Sequence, residues 1–99
     1  MNNLAASYNY LGRRHDALAL LEQTLEFRRR VLPQNHPDVG QSSFNVSVCY
    51  HQAGDVHRAV ESAREALRIW QAALPPSHPR VKMAQQRVHQ MELSLARHA

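Results

Sequence analysis

Apolar and small residues recur at steps of three and four through much of the chain, which is the spacing of one helix face. The clearest stripe consists of Val56, Ala59, Val60, Ala63, Ala66, Leu67, Trp70 and Leu74. A similar stripe lies earlier, at Ala17, Leu18, Leu21, Leu25 and Leu32. Both end at a Leu-Pro pair, because the residue before a proline disfavours the helical conformation. The pattern predicts five helices, at 2–11, 14–32, 37–53, 56–73 and 79–96.

The sequence repeats itself at a spacing of 42 residues. Within 1–42, eleven positions carry the same residue as the position one spacing further on: Asn3/Asn45, Tyr8/Tyr50, Gly12/Gly54, His15/His57, Ala17/Ala59, Leu25/Leu67, Leu32/Leu74, Pro33/Pro75, His36/His78, Pro37/Pro79 and Val39/Val81. Two helices in each copy indicate a solenoid of stacked helical hairpins. The repeat also decides the segment 40–50, whose serines and β-branched residues would favour a strand if taken alone. Its counterpart has a helical pattern, so we predict a helix there.

Glycine and proline mark the turns in each copy. Gly12 and Gly54 suit the left-handed position that follows the end of a helix. The pairs His36-Pro37 and His78-Pro79 begin the next helix, since proline fits the first helical turn and extends the residue before it. We expect both histidines to be linker or capping residues rather than metal ligands.

The repeated residues resemble the tetratricopeptide repeat (TPR). In the first copy the similar positions are Asn2, Asn3, Leu4, Ala5, Tyr8, Gly12, Ala17, Leu21, Leu25, Arg28, Leu32-Pro33 and His36-Pro37-Asp38. The 42-residue spacing is similar to that of the longer variant found in kinesin light chains, and the resemblance covers 1–83. It implies an all-α fold, a right-handed superhelical stack of antiparallel helix hairpins. We expect one domain, with repeat 1 at 1–36, repeat 2 at 37–78 and a capping helix at 79–97.

The two ends of the predicted stack differ from a complete repeat. His89 stands where repeat 2 has Ser47, and Glu92 stands where it has Tyr50. Polar groups at positions where a following helix would pack are typical of a solvating cap. The first helix of repeat 1 is about a turn and a half shorter than its counterpart. We therefore expect the open N-terminal end to pair with another copy, giving a homo-oligomer.

Composition narrows the class of protein. With 99 residues, 43% hydrophobic and 20% charged, the chain is typical of one globular domain rather than of a disordered segment. Its single cysteine, Cys49, cannot close a disulfide within the chain, so we expect a reducing compartment and a cytoplasmic location. No apolar run approaches the roughly 20 residues of a membrane-spanning helix, so no membrane partner is predicted.

The net charge favours acidic partners. Twelve Lys and Arg against 8 Asp and Glu give +4, and eleven of the twelve are Arg, which suits bidentate contacts to carboxylates. The triplet Arg28–Arg30 lacks interleaved aromatic residues, so nucleic acid is not the expected partner, and RNA binding stays a third hypothesis. His89 and Glu92 have no wider metal motif around them, and Cys49 has no general base at helical spacing. We predict no enzyme, no metal and no cofactor.

In a stack of such hairpins the first helices line a concave groove. The side chains expected there are Asn2, Asn3, Ala6, Asn9, Tyr10, Ser42, Asn45, Cys49, Gln52, Gln86, Arg87 and Gln90. For peptide binding we single out Asn2, Asn3, Asn9, Asn45, Gln52 and Arg87. A side-chain amide both donates and accepts, so Asn3 and Asn45 can hold the backbone of an extended peptide, while Arg87 can bind a carboxylate. The resemblance implies the same role for the two asparagines.

Two functions of different class follow from this sequence. The first is a protein–protein interaction scaffold that binds an extended, acidic peptide segment in the concave groove. The alternative is a structural module that assembles through its exposed repeat ends without a groove ligand. The groove lacks the lysines of chaperone-type carboxylate clamps, so capture of a C-terminal tail is not expected. A simpler alternative is that the asparagines only hydrogen-bond neighbouring helices.

Overall fold

The computed structural model describes residues 14–98, and these form four helices. Helix α1 spans Arg14–Val31, α2 spans Pro37–Gln52, α3 spans Val56–Ala73 and α4 spans Pro79–His98. The described residues contain no strand, so the segment 40–50 is helical as predicted. The four observed helices end within two residues of the predicted bounds. The predicted helix at 2–11 lies outside the described residues.

Two histidines begin α2 and α4 in the same way. His36 has an extended backbone (φ −67°, ψ 135°), and its Nδ1 accepts a hydrogen bond from the amide of Asp38 at 3.0 Å. At the start of α4, Nδ1 of His78 accepts from the amide of Arg80 at 3.1 Å. Each imidazole satisfies one of the amide groups that the first turn of a helix leaves without a partner. The predicted capping role of both histidines is confirmed.

A glycine ends α2 and allows the chain to reverse. Gly54 has φ +88°, a conformation that costs other residues strain. Its amide donates to the carbonyl of His51 at 3.1 Å, and the amide of Asp55 donates to that of Tyr50 at 2.9 Å. This is the Schellman pattern of hydrogen bonds. Asp55 then begins α3, since its side chain accepts from the amide of Arg58 at 3.2 Å. The short turn makes α2 and α3 an antiparallel hairpin.

Trp70 of α3 is fully buried and contacts the first turns of both α2 and α4. Its indole Nε1 donates to the carbonyl of Pro37 at 3.0 Å, and its ring centroid lies 5.6 Å from that of Phe44. From α4, the guanidinium carbon of Arg80 lies 5.9 Å from the Trp70 ring centroid. Trp70, a member of the apolar stripe in the sequence, thus lies in the core, and one side chain sets the position of three helix segments.

Gly40 allows α2 to approach this indole. A Cβ atom at Gly40 would lie 2.6 Å from Nε1 of Trp70 and 3.2 Å from Cγ2 of Ile69. Carbon atoms do not approach other heavy atoms this closely, so a larger residue would separate α2 from α3. The same repeat position in α4 is Lys82, which is exposed. The glycine is therefore required by a close contact that α2 makes and α4 does not.

A polar pair joins successive units at the same repeat position. The hydroxyl of Tyr50 donates to Oε2 of Glu22 at 2.6 Å, which connects α2 to α1. One repeat further on, Arg64 of α3 forms an ion pair with Glu92 of α4. The expectation that Glu92 faces a following helix is wrong, because its carboxylate pairs with Arg64 of α3. Tyr50 and Glu92 can occupy the same repeat position because the residue that faces this position changes from Glu22 to Arg64.

The outer face of α4 is polar where the matching face of α2 is buried. Four residues on one face of α2 are buried, and these are Gly40, Ser43, Phe44 and Ser47. The residues one repeat later are all exposed and polar, and these are Lys82, Gln85, Gln86 and His89. Since buried polar side chains without partners are unfavourable, this face suits water better than another helix. The arrangement fits a capping role for α4.

Gly40→Ala is expected to destabilise the protein by about 1–3 kcal/mol, although alanine normally favours a helix over glycine. The added methyl group collides with Trp70 and disturbs its hydrogen bond to Pro37. Urea unfolding followed by circular dichroism measures the free energy of unfolding. Lys82→Ala is the matched control, since this position is exposed, and it is expected to change stability by less than about 0.5 kcal/mol. A Gly40→Ala protein as stable as the parent would contradict the close contact.

The Tyr50–Glu22 hydrogen bond predicts a loss of stability at alkaline pH. The hydrogen bond from its hydroxyl to Glu22, burial and the nearby carboxylate raise the pKa of Tyr50 above its ordinary value of 10.0. This contribution is complete below pH 10.0 and is lost as the pH rises through the raised pKa. Tyr50→Phe should cost about 1 kcal/mol near neutral pH and remove this part of the alkaline decline. Free energies of unfolding of the parent and the variant, measured at neutral and at alkaline pH, test this prediction. A variant whose stability falls as steeply as that of the parent at alkaline pH would contradict it.

Candidate functional site

Side-chain amides form a row on one face of α2. Asn45 stands four residues after Gln41, and Gln52 stands eleven after it. These spacings place the three side chains on the same side of the helix. The Nε2 group of Gln41 donates to Oδ1 of Asn45 at 3.0 Å, and this contact is partly buried. Within residues 14–98, Nδ2 of Asn45 has no hydrogen-bond partner. The amide of Asn45 is therefore oriented by its neighbour and keeps a donor for a bound chain.

Arg87 of α4 borders the row of amides. Its guanidinium carbon lies 6.0 Å from the ring centroid of Phe44, which is a cation–π distance. Phe44 is buried and directly precedes Asn45 in α2, so the contact places the guanidinium against the helix that carries the amide row. The structure thus brings Arg87 of α4 close to the helix that carries Asn45 and Gln52. A half-buried guanidinium beside polar amides is suited to binding a carboxylate.

A cavity of about 280 Å³ opens between the end of α2 and α4. Its lining residues are His51, Arg87, Gln90, Met91, Leu93, Ser94 and Arg97. Two guanidinium groups and no carboxylate line it, so the local potential favours an anion. The buried Met91 and the half-exposed Leu93 add apolar surface. Chemically, the cavity is suited to an acidic side chain next to an apolar one.

A larger cavity of about 410 Å³ lies near α1 and α3. Its lining residues are Arg29, Tyr50, Arg58, Glu61, Ser62 and Glu65. Here the two cations face two carboxylates, and Arg29 is already paired with Glu65. Groups that neutralise one another attract a charged ligand weakly, so the smaller cavity is the better candidate despite its volume.

Part of the predicted groove lies in the described residues. Asn45 is half-buried, Gln52 is exposed at the last residue of α2, and Arg87 is half-buried. The predicted residues Asn2, Asn3 and Asn9 lie outside the described residues. The expectation that Asn3 and Asn45 together hold a peptide backbone therefore stays a prediction.

Two residues expected on the groove surface are instead buried. Ser42 is 3% exposed and accepts a hydrogen bond from Nη1 of Arg28 at 3.0 Å, so it faces α1. Cys49 is 7% exposed and takes part in an interaction with a neighbouring group. The expectation that they line an open groove is wrong, because both stand on the flank of α2 that turns towards the preceding unit.

Sequence reasoning missed Gln41 in the amide row, and in the cavity it missed His51, Met91, Leu93, Ser94 and Arg97. Gln41 stands four residues before Asn45, and Arg97 follows Arg87 through Gln90 and Ser94 at steps of three and four. Extending each predicted face by further helical turns would have found both. His51 gives no such signal, since it joins the cavity only through the packing of α4 against the end of α2.

Other kinds of site find little support in the described part of the chain. Residues 14–98 contain no group of three or more His, Cys, Asp or Glu side chains that could hold a metal ion. The carboxylate of Glu92, which the sequence placed near His89, is engaged by Arg64. Among the helices described, none has both the length and the apolarity needed to cross a bilayer.

Comparison with solved structures supports the helical stack. A structure of nearly identical TPR-like repeats, ascribed to a kinesin light chain of Podosopora anserina, is similar with a TM-score of 0.87 and 25% identity. A variant of that protein gives a TM-score of 0.88 and the same identity. The alignments cover 96% of this chain and 45% of each of those chains, so the chain spans less than half their length.

Sequence comparison gives the family. No curated protein matches the chain. The sequence pattern of the family described as tetratricopeptide repeat matches residues 1–72, well over half of the 99 residues. The match includes α1, α2 and most of α3, the same hairpins that resemble the kinesin light chain repeats. The chain belongs to the tetratricopeptide repeat family.

Proposed function

We propose that this protein is a non-enzymatic interaction scaffold that binds an extended, acidic peptide segment in the groove between α2 and α4. The family supports the coarser part of this statement, since tetratricopeptide repeats are generally protein-interaction modules. The observation that carries the finer part is the cavity beside the amide row, which contains Arg87 and Arg97 and no carboxylate.

The groove offers different contacts to the backbone and to the side chains of a peptide. The amide of Asn45 can donate to a backbone carbonyl whatever the peptide sequence, and Gln41 keeps it in position. Arg87 can bind a carboxylate while its guanidinium stays over Phe44. Because these groups are oriented before binding, little conformational entropy is lost when a peptide arrives. Affinity then depends on acidic side chains reaching the two arginines.

The repeat extends this proposal beyond the described residues. Asn3 stands one repeat before Asn45, and Asn2 and Asn9 belong to the same predicted helix. We assign them to the earlier part of the groove, within repeat 1 at 1–36, followed by repeat 2 at 37–78 and the cap at 79–97. A cytoplasmic location completes the proposal and rests on the count of one cysteine, since a single cysteine cannot form a disulfide within the chain.

Self-assembly is the second candidate function, and one observation favours it. Phe27 and Val31 of α1 are 61% and 58% exposed, which is unusual for large apolar side chains on one helix face. On α4, the four positions Lys82, Gln85, Gln86 and His89 are exposed and polar, while Leu93 is 48% exposed. The two functions are compatible, because α1 and the α2–α4 groove are different surfaces.

Arg87→Ala is expected to weaken the binding of an acidic peptide about tenfold or more, because a charge-assisted contact is lost. The probe is a fluorescent peptide selected from a random library against the full chain, and its affinity is measured by anisotropy. Replacing each Glu of that peptide by Gln should weaken binding to the parent protein in the same way. Raising the salt concentration should weaken it further.

Arg68→Ala is the matched control, since it removes the same charge from an exposed position of α3 outside the groove. It is expected to leave the peptide affinity within about twofold, because an exposed charge some distance away is screened. Equal losses for both variants would indicate a general charge effect and contradict a site at Arg87. A selected library without acidic peptides would contradict the proposed ligand.

A further inference from the structure

The cavity between α2 and α4 is lined by three side chains that can donate hydrogen bonds and have no partner. They are His51 at the end of α2, and Ser94 and Arg97 of α4. Within the part of the chain that the structure describes, none of these side chains forms a hydrogen bond or an ion pair. The hydroxyl of Ser47, by contrast, donates to the carbonyl of Phe44 at 2.6 Å. Polar groups without partners that line a cavity are available to a ligand.

The three donors lie at one end of the cavity. Ser94 and Arg97 are three residues apart on α4, a spacing that makes side chains neighbours on a helix. His51 stands one repeat before Leu93, the residue next to Ser94, so it lies at the same level of the stack. Arg87 stands two helical turns before Ser94 and borders the other end of the cavity.

The carboxylates nearest to these donors along the chain are paired with other groups. Glu92 forms an ion pair with Arg64 of α3. The side chain of Asp55 accepts a hydrogen bond from the amide of Arg58 and lies 3.6 Å from Nε of its guanidinium. The last carbonyls of α2 accept hydrogen bonds from the turn that follows the helix. The charge of Arg97 is therefore not neutralised, and an anion is favoured at this end of the cavity.

The number of donors distinguishes between two kinds of anion. A carboxylate has two oxygens, and one guanidinium can bond to both of them. A phosphomonoester has three acceptor oxygens and carries about 1.5 to 2 negative charges at pH 7. Hydrogen bonds from His51, Ser94 and Arg97 would use all three oxygens of a phosphate, whereas a carboxylate bound to Arg97 leaves the other two donors without a partner. The set of donors therefore suits a phosphate better than a carboxylate.

We propose that His51, Ser94 and Arg97 bind a phosphorylated side chain of the peptide, while Arg87 binds a carboxylate of the same peptide. This inference rests on the proposed function, because it assumes that a peptide lies between α2 and α4. Arg87 and Ser94 are seven residues apart, which is a rise of about 10 Å along the helix. An extended chain that runs along α4 covers this distance in about three residues. The ligand is therefore a peptide whose phosphorylated serine or threonine stands three residues from an acidic residue.

Fluorescence anisotropy with matched peptides and the full chain tests the phosphate site. The acidic peptide selected from the random library is made with serine, phosphoserine or glutamate at the positions three residues before and after its acidic residue. One of the phosphoserine peptides is expected to bind about tenfold or more tightly than its serine counterpart, and more tightly than the glutamate peptide. Phosphoserine directly beside the acidic residue is the control, because there it cannot reach the three donors while Arg87 holds the carboxylate.

Variants of the protein locate the phosphate. Arg97→Ala and Ser94→Ala should remove most of the gain from phosphorylation and leave the affinity for the serine peptide within about twofold. Arg87→Ala should weaken the serine and the phosphoserine peptides by the same factor, because it acts on the carboxylate. Arg68→Ala is again the matched control and should change neither affinity more than about twofold. Circular dichroism verifies that each variant is folded.

The outcomes separate this inference from the proposed function. Phosphoserine peptides that bind no more tightly than the serine peptide would overturn the phosphate site, while the proposed function would stand if Arg87→Ala still weakens binding. A gain from phosphorylation that persists in Arg97→Ala would place the phosphate elsewhere and overturn the inference equally. If no acidic peptide binds the protein, the proposed function fails, and the phosphate site fails with it.

Discussion

The contact between Trp70 and Gly40 determines where the two groove helices stand. Because the indole touches the backbone of α2 and lies beneath Arg80 of α4, a single residue of α3 fixes the first turns of both. The amide row and Arg87 occupy other faces of these same two helices, so their separation follows from a buried packing contact. A binding surface on rigid helices keeps its geometry better than one on loops, and here the rigidity comes from repeat 2.

The repeat is conserved as an arrangement of contacts rather than as a list of side chains. The positions that hold Glu22 and Tyr50 in one interface hold Arg64 and Glu92 in the next, and each pair connects successive units. A neutral hydroxyl and an ion pair serve equally well where the site is only partly buried. Nearest-neighbour contacts of this kind are what stabilise a solenoid, since each unit packs only on those beside it.

The sequence predicted the helices, their turns and the capping histidines well, because these depend on periodicity, proline and glycine. It predicted the faces less well. Ser42 and Cys49 have the right spacing for the groove side, yet the neighbouring unit covers them, as the hydrogen bond from Arg28 to Ser42 demonstrates. The stacking of Arg87 on Phe44 joins residues 43 apart in the chain and depends on how α4 packs. Periodicity identifies a face, while only packing determines its neighbour.

The central claim is that the surface of α2 and α4 beside Arg87 binds an acidic peptide. Chemical-shift mapping by NMR on the labelled full chain, titrated with a selected acidic peptide, examines this surface directly. The account predicts the largest shifts at the amide row, Gln41, Asn45 and Gln52, and at the cavity residues Arg87, Gln90, Ser94 and Arg97. Shifts confined to α1 and α3, with these residues unchanged, would contradict it.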